Sequence, residues 1–192
     1  MDLALNRPAW FGAARGFNDA IGHCSNYPLA YVYGTFLAMS GHILGRGTYI
    51  RYATPLYPNH YICLVGPSAL THKSTALGLG LESLGDTLAG MYPLRSLTTR
   101  QGLLLALQNN GGTGLVVLDE LASLILKRQD FASDLIAAIV ELYSSPSVTG
   151  TYTRYNPIEV ERVFLTILSG STTEWLRQGL TATHMMAGVG NR

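Results

Sequence analysis

Residues Tyr61–Gly80, YICLVGPSALTHKSTALGLG, limit what this chain can fold into more than any other stretch. Tyr61–Val65 is a short apolar run with the length and composition of a buried strand. Gly66-Pro67-Ser68 breaks it, and Lys73-Ser74-Thr75 opens a helical run that reaches Leu84. A strand, a loop and a helix in that order gather backbone N–H groups and a helix N-terminus around one point, which suits a phosphate. Lys73 would bring a point charge to the outer phosphates, and the hydroxyl of Ser74 could ligate Mg²⁺.

The stretch approximates G-x-x-x-x-G-K-[ST] with two departures. One residue too many separates Gly66 from Lys73, and His72 stands where a second glycine is expected. That glycine normally allows close backbone approach or a positive φ. The candidate nucleotide-binding residues are Gly66, Pro67, Ser68, Thr71, His72, Lys73, Ser74 and Thr75. The chain has only two lysines, Lys73 and Lys127. A cation at a helix start is disfavoured by the helix dipole unless an anion is near, so the place of Lys73 favours a phosphate site. An ordinary strand–turn–helix is the alternative.

The second landmark is Leu115–Glu120, LVVLDE. Four apolar residues ending in two acids read as a buried parallel strand whose C-terminal end reaches a site. Asp119 and Glu120 are the only adjacent acids in the chain. After a phosphate loop, such a pair supplies a carboxylate for the Mg²⁺ shell and a general base for the attacking water. The alternative is an acidic pair favoured at a helix N-terminus. A third apolar run, Phe164–Leu168, ends in Ser169-Gly170-Ser171-Thr172-Thr173-Glu174, a place for a γ-phosphate sensor or for a helix cap.

Between these landmarks the pattern predicts an α/β chain. Pro28–Leu44 reads as a helix apolar almost all round, with Pro28 near its first turn, and Thr48–Ala53 as a strand. Leu94–Leu97 reads as a short strand, Arg100–Gln108 as a helix capped by Thr98–Thr99, and Ala132–Tyr143 as another helix. Leu121–Leu126 looks helical. Val148–Arg154 and Ile158–Val163 read as a hairpin with Arg154 and Tyr155 near its tip. An arginine beside an aromatic there could touch phosphate and base, or be a solvated turn. Trp175–Leu180 reads as helix. Adjacent His23 and Cys24 suit packing better than a metal pair, and so does His184, which has no ligand-spaced partner.

Composition excludes several classes. With 192 residues the chain can bury one core, and a net charge of +1 provides no global basic field for nucleic acid. Two cysteines, Cys24 and Cys63, form neither a disulfide framework nor a zinc pattern, which suits a reducing, cytoplasmic setting. The N-terminus lacks the pattern of a signal peptide, and Ala30–Leu44 is short for a membrane span, so no membrane association is expected.

Taken together, GPSALTHKSTAL, TTRQGLLLAL, GLVVLDEL, TILSGSTTEWL and GVGNR resemble a family of bacterial, phage and plasmid P-loop ATPases of the primase- or replicative-helicase-like type. The lead-in LYPNHYICLVGPS looks similar too, and the resemblance runs from about Ala30 to Arg192. It implies a three-layer, additional-strand P-loop NTPase fold of the RecA or AAA+ kind with a mainly parallel sheet. Residues 1–54 would be a helical lead-in and 55–192 the ATPase core. The resemblance implies ATP and Mg²⁺ as cofactors, with Gly66, Lys73 and Ser74 on phosphate and metal, Asp119 on the metal and Glu120 as catalytic glutamate. Ser171 or Thr172 would be the sensor. Arg192 would be an arginine finger acting on a neighbouring subunit, hence a homo-oligomeric ring or filament, with DNA as an expected partner. The family core continues with another strand after the finger, so a chain stopping at Arg192 is expected to lack its last core strand. A nucleotide-binding or scaffold module without turnover is the alternative function. A small-molecule phosphotransferase is disfavoured by the acidic pair and by the absence of an arginine-rich lid in the sequence.

Overall fold

The computed structural model describes residues 11–22, 27–68, 71–85, 93–121, 124, 129–152 and 157–179. In chain order its elements are α1 (Gly12–Ile21), α2 (Leu29–Leu44), β1 (Tyr61–Val65), α3 (Lys73–Leu84) and α4 (Arg100–Asn109). There follow β2 (Thr113–Leu118), α5 (Gln129–Tyr143), β3 (Val148–Thr151), β4 (Ile158–Glu161), β5 (Phe164–Ser171) and α6 (Thr173–Gly179).

Strands β1, β5 and β2 form a parallel sheet in that order, so the last strand in sequence lies between the other two. It is also the most enclosed, buried along its whole length. The pleat sends alternate residues to opposite faces. Leu64, Leu115, Val117 and Leu168 meet α1, α2 and α3 in one apolar cluster. Val116, Leu118, Leu165 and Ile167 meet α4 and α5 in the other. Helices therefore cover both faces, giving three layers. Helix α2 shares the core of the sheet, because Tyr31, Val32, Ala38 and Met39 belong to the same cluster as Leu64 and Leu168.

Local chemistry explains the element ends. Thr99 caps α4 by accepting from the Gly102 N–H at 3.0 Å. Pro28 is the N-cap of α2 and lies just outside its first turn. Gly112, at φ +84°, makes the turn into β2, and a Cβ there would collide with the Glu161 carbonyl.

Four expectations change. Thr48–Ala53 is no strand: only Ile50 pairs, with Leu56, because Pro55 and Pro58 interrupt the ladder of donors. Of Leu94–Leu97 only Leu94 joins the sheet, beside Val116 on the outer edge of β2. The hairpin β3–β4 is present and antiparallel but shorter than its β-rich runs. Strand β5 runs three residues beyond Leu168, since its polar end continues the ladder to β1, with Val65 opposite Ser171. The segment Leu121–Leu126 lies mostly outside the described residues, as do His23, Cys24, Arg154, Tyr155, His184 and Arg192.

Candidate functional site at the carboxyl edge of the sheet

The registers place three strand ends side by side. Val65 pairs with Ser171, and Leu118 pairs with Ser169. The chain leaving β1 is thereby level with Asp119 and Glu120, which follow β2, and with the end of β5. Two backbone bonds past the strands hold this alignment: the Gly66 N–H to the Ser171 carbonyl at 3.2 Å, and the Leu121 N–H to the Gly170 carbonyl at 2.8 Å. The carboxyl edge of a parallel sheet is where such folds collect ligand-binding groups.

The loop after β1 is anchored at its root. The Tyr31 hydroxyl of α2 donates to the Val65 carbonyl at 2.7 Å. Gly66 sits directly beneath that hydroxyl, so any Cβ at residue 66 would collide with it. The Thr71 hydroxyl donates back to the Pro67 carbonyl at 3.0 Å, which closes the loop on itself. Lys73, the first residue of α3, donates from Nζ to the carbonyls of Gly66 (2.7 Å) and Pro67 (3.2 Å). An ammonium has three donors, so these contacts hold the charge over the loop and leave it capacity for one more acceptor.

His72 occupies the position of the expected second glycine and adopts the conformation that glycine would favour, with φ 49° and ψ 39°. It is the N-cap of α3 and offers no side-chain hydrogen bond to the first turn. Ser74 and Thr75 are exposed on that turn. A Cβ in the left-handed region costs about 1–2 kcal/mol, offset in part by the greater unfolded-state freedom of glycine. Replacing His72 by glycine is therefore expected to raise stability by about 1 kcal/mol. The readout is a higher urea midpoint at unchanged slope. His72→Ala, which keeps the Cβ, should show none of that gain.

The acids differ in setting. Asp119 is exposed and Glu120 is half-buried. The buried Ser171 hydroxyl donates to the Glu120 carboxylate. The two sensor candidates thus separate: Ser171 engages the glutamate, while Thr172 caps α6 by accepting from the Trp175 N–H at 3.2 Å. Gly170 brings α3 and β2 together over the middle strand. A Cβ there would lie 2.9 Å from the Asp119 carbonyl and 3.7 Å from the Cβ of Lys73. Beneath this edge, burial pushes the Cys63 thiol above its ordinary pKa. The hydrogen bond with Ser169 opposes that rise, the charge of Glu120 adds to it and that of Lys73 opposes it.

Lys73, Asp119, Glu120 and Ser171, predicted from separate segments, are thus brought to one edge. For Mg²⁺ the donor set fits: Ser74 and Asp119 offer exposed oxygens, and this ion is usually held by one or two carboxylates plus substrate phosphates. Among the described residues no group of three or more His, Cys, Asp or Glu side chains forms a self-sufficient metal cage. A separate cavity of about 220 Å³ lies between the sheet and α5. Its lining, including Leu118, Leu121, Ile136 and Leu176, is too apolar for a phosphate.

Sequence reasoning missed Tyr31 and Ser169. Tyr31 acts across 34 residues of chain with no local motif. Ser169 donates to the Ile62 carbonyl at 3.2 Å, and its place in a polar run gave only a general signal. Among the described residues no helix is long and apolar enough to cross a membrane. The sequence matches no protein-family model and none of the curated proteins compared with it.

Proposed function

We propose that this chain is a Mg²⁺-dependent nucleotide hydrolase, with ATP as its substrate, working in a DNA-processing system as a helicase-like ATPase. One observation carries the reading. A lysine opening a helix, tandem acids after a second strand and a serine ending a third meet at one sheet edge. The strand interposed between β1 and β2 agrees with the additional-strand P-loop fold that the sequence resembles.

In this reading the phosphates lie against the loop Gly66–Thr71 and the first turn of α3. Lys73 turns from the Gly66 and Pro67 carbonyls to the γ-phosphate as charge develops there. Glu120, oriented by Ser171, accepts a proton from the water attacking in line. Ser74 and Asp119 would hold the Mg²⁺, which when bound neutralises charge on the phosphates. A neighbouring copy would complete the site with an arginine, Arg192 in the resemblance, and that requires head-to-tail assembly.

A second reading, nucleotide binding without turnover, draws support from the non-glycine residue His72 in the left-handed region and from the lengthened loop. Calorimetry with Mg-ATP on the full chain and on Lys73→Ala tests both. Loss of one charge-assisted contact should weaken binding about tenfold to a hundredfold. Binding by the unmodified chain without phosphate release would favour the second reading. No binding by either protein would remove both.

A further inference from the structure

Behind the candidate site lies space of a different kind. The cavity of about 220 Å³ between the sheet and α5 is walled by all three strands, α5, α6 and the segment after β2. Val116, Leu118 and Ile167 form its sheet side, and Ile136, Ile139 and Val140 its helix side. Protein interiors pack as densely as organic crystals, so space on this scale between a sheet and its covering helix is uncommon. Ile136 is 6% exposed yet belongs to neither apolar cluster of the core, and it lines the cavity instead.

The walls decide what fits. No charged residue lines the cavity. Its hydroxyls are already engaged: Tyr61 donates to the Ile139 carbonyl at 3.1 Å, and Ser169 to the Ile62 carbonyl at 3.2 Å. None of the buried side-chain polar atoms that lack a partner among the described residues belongs to the lining. Burial raises the pKa of the Cys63 thiol, the other polar group on a lining side chain, and so keeps it neutral. A water here would find too few polar partners, and a charged ligand would lose its hydration with nothing to replace it. An uncharged apolar molecule meets neither cost. An apolar cavity of about 150 Å³ binds benzene, so this larger one has room for a substituted ring.

The lining reaches solvent along β1, which has no further strand beside it among the described residues. Tyr61 and Cys63 are half-buried there, as are Ile139 and Val140 of α5. Another wall backs onto the candidate site: Leu118 and Leu121 flank Asp119 and Glu120 in sequence, and both line the cavity.

We propose that this cavity is a binding site for a small, uncharged, apolar molecule, a substituted benzene ring or a branched hydrocarbon of similar size, seated directly behind the segment that carries Asp119 and Glu120. The site is distinct from the loop after β1 and needs no nucleotide.

The test is calorimetry of the full chain with p-xylene and with p-toluate, in which a carboxylate replaces one methyl group. No nucleotide is present, so the outcome is independent of the hydrolase reading. Saturable binding of p-xylene is expected, with p-toluate weaker by about a hundredfold or more. Saturating p-xylene should raise the thermal midpoint, as a ligand of the folded state does. It should also slow alkylation of Cys63 by iodoacetamide, read by mass on the peptide that holds this residue, because the thiol lines the cavity. Ile136→Phe puts a ring into the cavity and should weaken binding about tenfold or more, without lowering the thermal midpoint of the unliganded chain. Should that variant fail to fold, protection of Cys63 in the unmodified chain still decides. Absence of p-xylene binding by the unmodified chain overturns the proposal. So does equal binding of p-toluate, binding that leaves Cys63 alkylation unchanged, or undiminished binding by folded Ile136→Phe. Uptake of p-xylene that does not saturate would mean partition onto exposed apolar surface, and overturns it too.

Discussion

Glu120→Gln is expected to slow ATP turnover by about two to four orders of magnitude, the usual contribution of a general base. Mg-ATP affinity should stay close to that of the unmodified chain. Glutamine keeps an oxygen to accept from Ser171 and nearly the same volume, so the edge of the sheet should retain its geometry. What it loses is the capacity to take a proton. Ser171→Ala is the companion: the carboxylate survives but loses its orientation, so the loss should be smaller, about tenfold. The measurements are phosphate release at saturating Mg-ATP and calorimetry on the same protein samples. Full-rate hydrolysis by Glu120→Gln would take the glutamate out of the mechanism. Equal loss of binding and turnover would make it a structural residue.

Acid should weaken the fold through His42. This side chain of α2 is 2% exposed, packs on Phe164 at 6.3 Å between ring centres, and has no hydrogen-bond partner for either ring nitrogen among the described residues. Burial lowers its pKa from 6.5 to about 4. The unfolded chain therefore takes up the proton first, and stability rises with pH across that interval. The contribution is fully present above about pH 6.5 and disappears as pH falls to about 4, a loss of about 3 kcal/mol. His60, also lowered by burial, adds in the same direction. His42→Leu should flatten most of the dependence and, by removing two unpartnered polar atoms, should not weaken the protein at neutral pH. Urea midpoints at neutral and acid pH decide it. Parallel pH curves for the two proteins would assign the acid sensitivity elsewhere.

The sequence was most legible where chemistry and local structure coincide. Strand β1 and helix α3 fall on the residues read from YICLVGPSALTHKSTALGLG, because an apolar run, a Gly-Pro break and a helical run each leave a local signature. The tandem acids follow their strand as the pattern implied, although the strand itself begins two residues before the apolar run, at Thr113. Legibility failed where distant residues decide. TYIRYA has strand composition, yet its backbone bonds are local: the Thr48 N–H donates to the Gly45 carbonyl, and Ile50 closes on Leu56. The polar end of β5 reads as a sensor or a helix cap beyond the apolar run rather than as strand, because the partners of its hydroxyls, the Ile62 carbonyl and Glu120, lie more than fifty residues away in sequence. The positive φ of His72 could be read only as a missing glycine. Periodicity does not report strand order, so it could not place β5 between β1 and β2.

Helix α2 has sixteen residues and so measures about 24 Å from end to end. Tyr31 fastens its first turn to the root of the loop after β1, and its last turn leads through Gly45 into Arg46, whose guanidinium holds the Pro146 and Val163 carbonyls. It therefore serves as a strut between opposite ends of the molecule. The Val65 carbonyl at one end of the sheet and the Pro146 and Val163 carbonyls at the other are thus tied to one rigid element, through the Tyr31 side chain at its start and Arg46 just past its end.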